Sequence, residues 1–121
     1  MKENNLRDKS FTFSVRVMNL CKYLISEKKE FLISKQVARS ETSVGAMVRE
    51  AEHSESKNDF IHKLAIAQKE INETIYWPEL LQATDYLKKE EFDTINKDAV
   101  ELIKIITTII KNTKANLITN H

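Results

Sequence analysis

The residues best suited to chemistry in this chain are a few charged side chains that share helical faces with apolar ones. Read with a helical period, Arg39, Ser43, Ala46 and Glu50 fall at i, i+4, i+7 and i+11. Ile66, Glu70, Glu73, Trp77 and Leu80 make a second stripe, which sets two glutamates between large apolar residues. A carboxylate in a partly buried seam is costly without a partner. Arg39 facing Glu70 or Glu73 across antiparallel helices would remove that cost. An ion pair that fixes helix register is the reading this pattern favours, and a polar cleft that binds a ligand is the second. Acid–base catalysis is the third. No histidine, nucleophile or oxyanion donor completes the set, so the chain reads as a non-enzyme.

Metal chemistry has two footholds. Glu50 and His53 stand in E-x-x-H spacing, and Asp59 and His62 in D-x-x-H. Each pair puts a carboxylate and an imidazole on one helical face, as in di-iron bundles, which draw ligands from all four helices. Here both pairs flank a single turn, and the outer segments offer few inward acids. No metal and no cofactor is expected. Cys21 is the only cysteine, which excludes an intrachain disulfide and a multi-cysteine zinc site. It lies beside an apolar stripe, where a thiol packs, and it suits a reducing cytoplasm.

Two basic sets are candidates for phosphate contacts. Lys22, Lys28 and Lys29 lie near the end of the first helical segment, and Lys104, Lys111 and Lys114 lie on an acid-free C-terminal stretch. A net charge of +1 supplies no general field for nucleic acid. No aromatic stacking motif accompanies the lysines.

The elements that must position these residues are helices. One glycine and one proline occur in 121 residues, where average usage gives roughly eight and six. Hairpins, Gly-rich phosphate loops and many-stranded folds need more of both. Four helical segments fit, at about 10–26, 34–52, 57–84 and 90–116. The first carries Phe13, Val17, Leu20 and Leu24 beside a second stripe of Phe11, Val15 and Met18, a face too broad for one neighbour. The second starts at Ser34 as its N-cap and carries Val37, Val44, Val48 and Ala51 through a weak helical stretch that includes Gly45. The third, capped by Asn58 or Ser56, carries Phe60, Leu64, Ala67, Ile71 and Leu81, with Pro78 expected to kink it near residues 74–77. The fourth carries Phe92, Ile95, Ala99, Leu102, Ile106 and Ile109, flanked by Ile103 and Ile110. Together they read as a single all-α domain, an up-down-up-down four-helix bundle spanning 1–121. No apolar run suits a signal sequence or a membrane span.

Two segments carry a family likeness. The first is Leu32-Ile-Ser-Lys-Gln-Val-Ala-Arg-Ser-Glu-Thr-Ser-Val-Gly-Ala46 with Glu50-Ala51. The second is Asp59-Phe-Ile-His-Lys-Leu-Ala-Ile-Ala-Gln-Lys-Glu70 with Glu73, Tyr76-Trp77 and Glu79-Leu-Leu81. They resemble the helix 2 and helix 3 signatures of bacterial bundle proteins encoded in intervening sequences of 23S ribosomal RNA genes. Arg39, Ser40, Thr42, Ser43, Glu50, Glu70, Glu73 and Trp77 match. Glu41, Met47 and Pro78 stand where the pattern has a small residue, asparagine and leucine. The resemblance implies a left-handed bundle, a homopentameric ring and no established activity. It also implies kinship with the accessory protein of diversity-generating retroelements, a basic pentamer that engages a reverse transcriptase and nucleic acid. The function expected is a non-enzymatic oligomeric scaffold or interaction module, with binding of RNA or a ribonucleoprotein as the alternative.

Overall fold

In the computed structural model, which describes residues 2–119, the chain forms α1 (Lys2–Ser26), α2 (Leu32–Glu52), α3 (Lys57–Ala83) and α4 (Lys89–Thr119). Buried residues recur at alternating three- and four-residue steps on each. They are Leu6, Ser10, Phe13, Val17, Leu20 and Leu24 on α1, and Ser34, Val37, Glu41, Val44, Val48 and Ala51 on α2. On α3 they are Leu64, Ala67, Ile71, Thr74, Pro78 and Leu81, and on α4 Ile95, Ala99, Leu102, Ile106 and Ile109. That spacing keeps one seam of each helix facing a common axis. Each helix packs on its sequence neighbours, and α1 closes the bundle against α4. The short connectors 27–31, 53–56 and 84–88 make neighbouring helices antiparallel.

Two boundaries differ appreciably from the sequence expectation. α1 begins at Lys2 rather than near Ser10, because Ser10 and Leu6 are buried and carry the stripe two further steps before Phe13. α4 continues to Thr119, although past Ile110 no described residue is buried. α3 runs unbroken through Pro78, which packs inside the core. The missing N–H there leaves the Thr74 carbonyl without its helical donor, and the neighbouring packing holds the helix. Gly45, worth about 1 kcal/mol against helix relative to alanine, does not interrupt α2 either.

The helix ends are built by side chains. Ser34 lies inside α2, not at its cap. The buried Glu30 carboxylate caps that helix instead, accepting from the N–H groups of Ile33 at 2.9 Å and Ser34 at 2.8 Å. Ser56 caps α3 by accepting from the Asp59 N–H, and the Asp59 carboxylate accepts in return from the Glu55 N–H. With so little glycine, two other residues take left-handed backbone: Lys29 at φ 54° and Asp85 at φ 68°. Asp85 occupies the C′ position of a Schellman turn, with Tyr86 N–H bonded to Leu81 O and Asp85 N–H to Gln82 O. Glycine has no Cβ to oppose that conformation. Asp85→Gly is expected to stabilise the bundle by about 0.5–1 kcal/mol, read as a higher midpoint in urea with unchanged slope.

Candidate functional site

The polar faces of α2 and α3 meet where the helical spacing put them. Arg39 Nη2 lies 2.5 Å from Glu73 Oε1, and its Nη1 lies 3.9 Å from Glu70 Oε2. The guanidinium remains half exposed, so this pair contributes at most about 1 kcal/mol. The two carboxyls titrate apart. Burial first, and then the hydrogen bond and charge of Glu73, hold the Glu70 carboxyl above its ordinary range. The hydrogen bond from Glu70, then that from Arg39, holds Glu73 below it. Ser43 donates to the Arg39 carbonyl at 3.2 Å.

The other residues of this set are dispersed. Glu50 pairs with Lys63 at 2.8 Å. Ser40 is wholly buried and donates to the Gln36 carbonyl, and Thr42 bonds back to the Arg39 carbonyl while lining a groove on the α1 side. Trp77 packs against the core edge-on to Tyr76, with ring centroids 4.9 Å apart, and its buried indole N–H has no acceptor among the described residues. The two lysine sets lie toward opposite ends of the bundle, since α1 and α4 are antiparallel. Lys28 stands 5.8 Å over the Tyr23 ring and Lys29 bonds the Ser26 carbonyl, with Lys22 exposed nearby. Lys104, Lys111 and Lys114 are exposed along the far end of α4. No three metal-ligating side chains gather among the described residues.

Glu41, which departs from the small residue of the family pattern, holds a core position that its residue type does not announce. It fills the gap between Val37 and Val44 in the α2 stripe, and that gap was the available signal. Glu41 is 2% exposed and accepts a hydrogen bond from the Ser14 hydroxyl on α1. The same hydroxyl lies 2.9 Å from the Ser10 carbonyl. With Glu41 protonated, its O–H donates to Ser14 Oγ while the Ser14 O–H donates to the Ser10 carbonyl; with Glu41 ionised, the Ser14 O–H donates to the carboxylate. Burial pushes the Glu41 carboxyl above its ordinary 4.5, with the Ser14 bond opposing. Cys21, also buried, donates to the Ser34 carbonyl at 3.5 Å. Its thiol is pushed up to about 11 by burial, then by the charges of Glu41 and Glu30, so it is unionised at neutral pH.

A raised carboxyl value means the folded state binds the proton more tightly than the unfolded chain. Stability is then lost as pH rises from about 4.5 through the raised value, by up to about 1.4 kcal/mol per pH unit. Glu41→Gln removes this loss. Denaturant midpoints measured against pH are expected to fall more steeply for the native sequence than for the variant across that window.

The geometry has relatives. The profile of the 23S rRNA-intervening sequence protein family matches residues 2–108, from the start of α1 into α4. No relative of curated function matches. The fold is similar to a crystal structure of a protein with unknown function from the S23 ribosomal protein family of Bacteroides thetaiotaomicron VPI-5482. That protein is 53% identical, with 92% of this chain and 99% of the other covered and a TM-score of 0.89. A match that runs through the same four helices, with the Arg39 and Glu70–Glu73 faces meeting across two of them, places the chain in one group: it belongs to the 23S rRNA-intervening sequence protein family.

Proposed function

We propose that this protein is a non-enzymatic helical-bundle scaffold that acts as a homo-oligomer, five copies in a ring, and presents surfaces to a partner. The observation that carries this reading is the outer face of α1. Phe11, Val15, Met18 and Ile25 lie exposed at i, i+4, i+7 and i+14, and Phe31 and Leu32 extend the patch to the start of α2. Phe11 is 59% and Leu32 72% exposed. Burying each such side chain is worth roughly 1.5–3 kcal/mol. Single exposed hydrophobes are ordinary, but several on one face of one helix, broken only by Lys22, mark an interface. A patch that meets a different patch on the next copy closes into a ring when the rotation allows.

Helix α4 adds little to this argument, because Ile106, Ile109 and Ile110 are buried in the protein's own core. The polar faces support the non-enzymatic reading. Arg39 is engaged by Glu73 and Glu50 by Lys63, and both contacts join α2 to α3. The described helices include none long and apolar enough to cross a membrane, and the buried, single Cys21 fits a reducing cytoplasm. Light scattering on the purified protein is expected to give about 70 kDa, five times the chain mass of 14.1 kDa. Val15→Arg is expected to release monomers of unchanged helicity. A native protein of 14.1 kDa overturns the ring.

A second reading, binding of RNA or a ribonucleoprotein, has its own support. Residues 102–121 hold Lys104, Lys111 and Lys114 and no acid, and a ring repeats that set around one rim. Binding of a single-stranded RNA is expected to weaken steeply between 50 and 200 mM salt, with a slope of roughly −0.7 per phosphate contact. Binding that salt leaves unchanged counts against the lysines as the contact.

A further inference from the structure

The seam between α1 and α2 contains a feature that the α2–α3 polar face does not use and that borders the exposed α1 stripe at Phe11. An open groove of about 290 Å³ runs there, and its lining includes Phe11, Ser14, Glu41, Thr42, Gly45 and Ala46. At its floor, Glu41 has a neutral hydroxyl for a partner and pairs with no cation among the described residues. Arg49 also borders the groove, two turns further along α2, and makes no bond to Glu41. A buried carboxylate without a counterion is an unusual thing for a core position to hold.

Gly45 supplies a second, independent observation. A Cβ built at this position would meet only Ser14 Oγ, at 3.6 Å, which is ordinary contact. The chain's own packing therefore has room for alanine, and alanine would favour the helix. The side chain missing from Gly45 leaves space in the groove instead, one turn from Glu41 on the same helix.

We propose that this groove is a binding site for a primary alkylammonium, with the charged head on Glu41 and Ser14 and the apolar stem over Gly45 and Ala46 against Phe11. A carboxylate and a hydroxyl satisfy an ammonium's donors, and an aromatic wall with a small-residue floor suits an unbranched methylene stem. The same chemistry is offered by a free amine and by a lysine side chain from a neighbouring copy.

The test uses n-butylammonium and n-butanol, which share a stem and differ in charge, titrated into the isotopically labelled protein at matched ionic strength. The ammonium is expected to shift the backbone amides of Ser14, Glu41, Thr42, Gly45 and Ala46 with about tenfold higher affinity than the alcohol. Glu41→Gln keeps the shape and is expected to bring the two ligands level. Gly45→Ala is expected to raise the melting temperature by about 4 °C while weakening the ammonium, a trade that a purely structural glycine would not show. Light scattering in saturating n-butylammonium separates the sources. A fall in mass assigns the site to a neighbour's lysine, and a constant mass assigns it to a free amine. Equal affinities for the two ligands, or a preference that survives Glu41→Gln, overturn the proposal. So does a titration that moves none of these amides when Glu41→Gln also leaves the assembly mass unchanged.

Discussion

Everything in this bundle depends on four seams of side chains, spaced by threes and fours, facing one axis. The spacing matches helices that wrap slightly around each other, so each buried residue sits between residues of its neighbours. This constraint outranks local preference. The stretch from Arg39 to Ala46 is rich in hydroxyls and holds the only glycine, yet it stays helical because Val37, Val44 and Val48 pin it on both sides. Pro78 is tolerated for the same reason. It occupies a seam position, fully buried, where the packing of Thr74 and Leu81 on either side offsets the lost hydrogen bond.

What can be read from the sequence follows from the same constraint. Apolar repeats announce the four helices and their order, and the charges sharing faces with them announce the meeting of Arg39 with Glu73. Polar members of a seam are harder to see. Glu41, Ser10, Ser34 and Thr74 hold core positions, but a pattern search that scores only apolar residues reads them as gaps. The start of α1 gives no signal in the sequence, because Leu6 stands alone among charged and amide residues, and one apolar side chain makes no period. Residue type points to Ser34 as the cap of α2. A glutamate just before the helix does that work, because its longer side chain folds back to reach two N–H groups. In each case tertiary placement decides, and propensity tables carry no information about it.

The buried polar groups are unevenly distributed. The α1–α2 seam holds buried Ser10, Cys21, Ser34 and Glu41, with half-buried Ser14 bonding Ser10 to Glu41 and Ser34 bonding Cys21 to Glu30, whereas the α4 seam is purely apolar from Ile95 to Ile109. Hydrogen bonds between helices demand one register, while apolar contacts tolerate small shifts. Helices α1 and α2 are thus the pair whose alignment is most tightly specified. The groove over Glu41 and the exposed stripe on α1 both belong to this pair, so any partner that binds there meets a surface already fixed in shape.

Helix α4 is one continuous helix by geometry but not by energetics. Up to Ile110 its residues share in the common core, and to break them is to unfold the bundle. From Lys111 to Ile118 the helix is held by its own backbone hydrogen bonds and no buried side chain. A free helical segment of two turns is below the length at which helix sustains itself in water, so it persists only as an extension templated by the turns before it. Amide hydrogens on the two sides of Ile110 therefore report different events. Along the buried stretch from Ile95 to Ile110, exchange requires opening of the packed core. Beyond it, exchange requires only fraying, and this end of the molecule can be ordered or released without drawing on the stability of the rest.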